Sequence, residues 1–138
     1  MEAPPHLLER SPGGQIVVAV VVPAIFGIIT GLLLGFNEVA YLVLSILGIA
    51  GGIGAGYEHP NGDEGLQRGF CGGLLFGTLI IVTSAVTGAE PKAHLPEPPA
   101  FLIVVTTVLG MAFGALGGWL RKRHDAKERI EAREAARA

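Results

Sequence analysis

Four blocks of about 20 residues each, 16–36, 39–57, 69–87 and 100–120, contain no Asp, Glu, Lys, Arg or His. A helix needs about 20 apolar residues to cross a hydrocarbon core roughly 30 Å thick, and it satisfies its backbone hydrogen bonds internally. The spacing predicts an all-α integral membrane protein, a four-helix transmembrane bundle with spans at 16–36, 39–57, 66–88 and 99–120. Half of the 138 residues are hydrophobic and only 16% are charged. A soluble domain would interleave its polar residues instead of setting them aside between blocks. The first block exceeds the length of a secretory apolar region, and two Glu against one Arg precede it, so it is read as a retained span.

Glycine recurs every fourth residue in all four blocks: Gly27, Gly31 and Gly35; Gly48, Gly52 and Gly56; Gly69, Gly73 and Gly77, preceded by Gly65; and Gly110, Gly114 and Gly118, with Gly117 alongside. Four residues is close to one helical turn, so each series forms a groove along one face. Lipid tails are as apolar as leucine, so helices in a bilayer associate through close contact at small residues. The grooves predict packing by glycine zippers, within the chain and between copies as a homo-oligomer.

The connections are short and polar. Asn37 is a cap for the second helix, with Glu38 at its positive end. That link makes spans one and two antiparallel neighbours, and Tyr41 and Tyr57 are expected at the two interfaces. In the turn 58–67, Asp63 is a cap for the third helix and Glu64 stands four residues before Arg68, at ion-pair spacing. The proline-rich stretch 88–99 reads as a stiff surface loop, with Pro98 and Pro99 in the first turn of the next helix. Pro23 removes one backbone donor, predicts a kink and frees the carbonyl near Ala19. Residues 1–15 read as a flexible tail that could touch the bilayer at positions 6–8, and 121–138 as a charged helix beyond the membrane, with Asp125 and Arg129, and Lys127 and Glu131, at pairing distance.

Of ten Lys and Arg, seven follow Leu120, and only Lys92 falls on the side opposite to Arg10 and Arg68. The positive-inside rule then places both termini and the 58–67 turn in the cytoplasm of a multi-pass plasma-membrane protein. Arg121, Lys122 and Arg123 stand where anionic lipid headgroups lie.

Catalysis needs positioned titratable groups, and the apolar blocks have none. His59 with Glu58, Asp63 and Glu64 is the one place for a metal, but capping and pairing account for the acids, so no metal or cofactor is expected. Cys71, the single cysteine, reads as a small buried side chain. GFCGG at 69–73 resembles the opening of the third span in small fluoride channels. The second span lacks that family's asparagine and the first its arginine, so no function is carried over. The expected role is that of a non-enzymatic structural or accessory subunit, contacting the lipid bilayer, copies of itself and a larger partner through the tail, with no nucleic acid. The alternative is a small homo-oligomeric channel for ions or small solutes, lined by Thr78, Thr83, Ser84, Thr87, Thr106 and Thr107.

Overall fold

In a computed structural model that describes residues 9–137, the chain is helical, without strands among those residues. Four helices follow in order: α1 (Pro12–Phe36), α2 (Glu38–Tyr57), α3 (Gly62–Thr87) and α4 (Phe101–Ala135), each long and apolar enough to cross a membrane. Residues 1–8 of the expected flexible tail, with the surface contact suggested at 6–8, lie outside the described residues. Helix α1 starts earlier than the sequence suggested, because Ser11 caps it at 3.3 Å from the Gly14 amide and Pro12 occupies the first turn. Asn37 alone separates α1 from α2; it is extended, and its side chain accepts from the Ala40 amide at 3.0 Å. Gly88 ends α3 in the left-handed conformation (φ 64°), which glycine adopts without a Cβ clash. Helix α4 runs unbroken to Ala135, so the charged extension continues the last span.

Helix α3 packs on all three others, most extensively on α4, and α2 also packs on α4. The α3–α4 contact is backbone on backbone. A Cβ on Gly69 would run into the Gly110 carbonyl, and one on Gly110 into the Gly69 carbonyl; Gly65 and Gly114 are related in the same reciprocal way. Gly73 and Gly77 face Thr106, and Gly118 faces the Asn61 carbonyl. Gly56 and Gly117 bring α2 equally close to α4. Helix α1 reaches only α3 in this way: a Cβ on Gly27 would lie 2.9 Å from the Phe76 carbonyl oxygen, and one on Gly31 2.8 Å from that of Ile80. The remaining groove positions meet side chains, Gly35 that of Ala89, Gly48 the Phe76 ring and Gly52 that of Phe113.

Side-chain packing is concentrated at the other end of the bundle, where Leu34, Tyr41, Phe76, Ile80 and Ala93 are buried. Tyr41 belongs to the core and is only 6% exposed, in one cluster with Ala93 of the connection from α3 to α4. Most of that connection is exposed, and it is anchored at two points: the Lys92 amide donates to the Leu34 carbonyl at 2.8 Å, and Leu95 packs against the core. Pro98 and Pro99 precede α4, their carbonyls accepting from the Phe101 and Leu102 amides. Cys71 lies on the exposed side of α3, since Gly69 and Gly73 occupy the buried one.

Gly110→Val should lower unfolding stability by about 2 kcal/mol or more, because the added atoms meet backbone that cannot rotate away. Gly54→Ala, where a Cβ has open space, should be neutral or stabilise by up to about 1 kcal/mol. Denaturation in detergent followed by circular dichroism checks both, and equal sensitivity at the two sites would refute the backbone contact.

Candidate ligand cavity at Arg68

A half-open cavity of about 310 Å³ lies between residues 18–26 of α1 and 47–58 of α2, with α3 as its floor and Thr106 and Gly110 of α4 behind it. Most of its wall is glycine or aliphatic, and its charged lining residues are Glu58 and Arg68. Both stand at the end where α2 stops and α3 begins.

Arg68 reaches α1. Its Nη2 donates to the Val18 carbonyl at 3.0 Å, across 50 residues of sequence. The reason lies in Pro23. Residues Val17–Val21 form a π-helical turn in which the Val22 amide donates to the Val17 carbonyl, five residues back. In that register residue 23 should donate to Val18, and proline has no hydrogen to give. The orphaned carbonyl is thus that of Val18, next to Ala19, and the guanidinium satisfies it. Arg68 is consequently not paired with Glu64. Glu64 is held by Asn61, whose Nδ2 donates at 3.0 Å, and lies 3.7 Å from His59 Nδ1. The cap of α3 is Asn61 and not Asp63, for its side-chain oxygen accepts from the Glu64 amide at 3.0 Å.

Glu58 gathers two more arginines. Its Oε1 pairs with Arg10 Nη2 at 3.1 Å, and its backbone carbonyl accepts from Arg121 Nη1 at 2.6 Å. Arg121 is therefore turned inward, 17% exposed, because the last carbonyls of α2 need a donor. Lys122 is exposed, and Arg123 lies 4.1 Å over the Trp119 ring. The pairs formed along the tail are Arg121 with Asp125 and His124 with Glu128. Four side-chain atoms at this end, Glu58 Oε2, His59 Nε2, Arg68 Nε and Arg121 Nε, are buried without a hydrogen-bond partner. Among the described residues no three of His, Cys, Asp and Glu converge as metal ligands would.

The six hydroxyl residues do not share a face of the chain. Thr106 and Thr107 are buried and both donate to the Ile103 carbonyl, at 3.1 and 2.6 Å. Thr83 packs against Gly31 of α1. Thr87 is exposed and donates to the Ser84 carbonyl at 2.9 Å, while Thr78 and Ser84 are half-buried. Only Thr106 of the six lines the cavity. Sequence reasoning missed the cavity and the role of Arg68, although Pro23 signalled that one carbonyl would need a donor. No protein-family model matches the chain, and no curated protein or solved structure matches it significantly.

If Arg68 serves the carbonyl that Pro23 orphans, the two residues are coupled. Arg68→Gln should cost about 1–3 kcal/mol in the native chain and about 1 kcal/mol less in a Pro23→Ala background, where the helix supplies its own donor. A double-mutant cycle of unfolding free energies measures this, and additive effects would refute it. Arg121→Ala should cost about 1–2 kcal/mol by the same measurement, and Lys122→Ala no more than about 0.5.

Proposed function

We propose that the chain is a non-enzymatic, four-pass plasma-membrane protein of structural or accessory role, its helices held together by glycine zippers. One observation carries this reading: large apolar side chains on all four helices point outward, while most of the glycines spaced every fourth residue point inward. Ile16, Val39, Ile46, Val86 and Val108, from all four helices, are each more than half exposed. Water would penalise such a surface at about 25 cal/mol per Å², whereas lipid does not. The glycine contacts fit the same setting, because close backbone approach is what drives association where burial of apolar surface contributes little.

Orientation follows from charge. The turn between α2 and α3, Arg10 and the end of α4 lie at one end of the bundle, and Lys92 is the one Lys or Arg at the other. Both termini are accordingly assigned to the cytoplasm. A non-catalytic role fits a half-buried layer in which Glu58 is paired with Arg10 and Glu64 accepts from Asn61. The channel alternative has no observation in its favour, since four of its six hydroxyl residues are accounted for by helix carbonyls and helix packing. Association with a second copy has few grooves left to use, because the neighbouring elements of the same chain already fill them.

Alkaline carbonate should leave the full-length protein in the membrane fraction. Single cysteines replacing Lys92 and Lys127, in a Cys71→Ala background, should be labelled from opposite faces of sealed vesicles by an impermeant maleimide. Extraction by carbonate, or labelling from one face only, would overturn the assignment. Particle mass in detergent decides self-association: more than one chain per particle supports it and a single chain removes it.

A further inference from the structure

The cavity combines three properties that select for one kind of ligand. Its volume of about 310 Å³ is far above the ~10–15 Å³ that holds one water, room for a length of hydrocarbon chain. Its wall is apolar except at one end, where it is lined by Arg68 and by Glu58, which is already engaged by Arg10. Its rim includes Val22 and Leu47, which are 51% and 54% exposed, so it opens sideways onto the outer surface of the bundle.

A polar ligand would waste the wall, and an uncharged apolar one would leave the guanidinium unmatched in a site of low dielectric. Arg68 uses one Nη to hold Val18 and keeps its remaining donors, which suit the paired oxygens of a carboxylate or phosphate. Gly51 and Gly54, where nothing stands within 4 Å of an added Cβ, leave a smooth strip of α2 for a chain to lie along.

We propose that this cavity binds one acyl chain carrying an anionic head group, with the chain along Gly51 and Gly54 and the head group on the Arg68 guanidinium. The proposal rests on the bilayer reading for its supply of ligand, since the opening then faces lipid. A fatty acid and an anionic phospholipid that inserts one of its chains share this chemistry.

Native mass spectrometry of the full chain in detergent tests it, with phosphatidylglycerol, a long-chain fatty acid or phosphatidylcholine added at equal concentration. At least one anionic ligand should be retained on the order of tenfold more than phosphatidylcholine, as charge-assisted hydrogen bonding implies. Whichever is retained identifies the source. Gly51→Phe fills the space at an unobstructed position and should abolish retention without lowering the melting temperature; Gly54→Leu is a second filling variant. Arg68→Gln should abolish the preference for anionic ligands, and Lys122→Gln should leave it intact. Equal retention of phosphatidylcholine, retention that survives both filling variants, an equal loss in Lys122→Gln, or particles of two chains with no lipid bound would overturn the proposal. Because binding is read in detergent, its failure would leave carbonate extraction to decide the membrane reading separately.

Discussion

The contact between the backbones of α3 and α4 sets the geometry of the rest. Where Gly65, Gly69 and Gly73 meet Thr106, Gly110 and Gly114, no side chain separates the two helices. Helix α2 is drawn to the same axis by Gly56 and Gly117, whereas the close backbone approach of α1 is to α3, through Gly27 and Gly31. The cavity lies between these two helices with α3 as its floor, and at its charged end the Arg68 hydrogen bond to Val18 and the Arg10–Glu58 pair hold the start of α1 to α3 and to the end of α2. Its walls are smooth because the α2 glycines that no helix covers, Gly51 and Gly54, face into it.

The same arrangement explains where side chains do the packing. At the end of the bundle with the proline-rich connection the glycine contacts between α3 and α4 run out, and Leu34, Tyr41, Phe76 and Ile80 form one buried cluster with Ala93, Leu95 packing against it. Closing that end takes the Lys92 amide, which bonds to the Leu34 carbonyl at the last turn of α1. At the opposite end the closing groups are charged. Arg10, Glu58 and Arg121 join the start of α1, the end of α2 and the continuation of α4, so the polar residues nearest the spans are engaged at helix ends.

Much of this was legible in the residue pattern, and the limits have physical causes. The four helices follow from charge-free length, the Asn37 cap from its place before Glu38, and the packing faces from glycine at every fourth position. What escaped were partners chosen across the fold. Spacing of four suggested Glu64 for Arg68, yet a solvated pair of that kind contributes only about 0.3–0.5 kcal/mol, whereas leaving a buried carbonyl unsatisfied costs about 1–3 kcal/mol. The unsatisfied carbonyl therefore outweighs the ion pair and draws the arginine to α1. Arg121 escaped for the same reason, as an arginine beside a span reads as a headgroup contact until a helix end is found within its reach. The burial of Tyr41 escaped because Ala93, which shares its cluster, is supplied by a connection that reads as polar and proline-rich.

Arginine at position 68 is also the side chain whose chemistry allows two tasks at once. A lysine ammonium is a single point of charge, and committing it to the Val18 carbonyl would draw the charge onto α1. The planar guanidinium spreads five N–H donors over a rigid fork, so one Nη can close the π-turn while Nε and the second Nη keep their direction. The group that repairs the backbone opened by Pro23 is the same group that gives the cavity its charge. Ligand binding there and the seating of α1 on α3 are therefore linked through one side chain: a head group that fixes the guanidinium also fixes the hydrogen bond to Val18, and α1 gains stability from the occupied cavity.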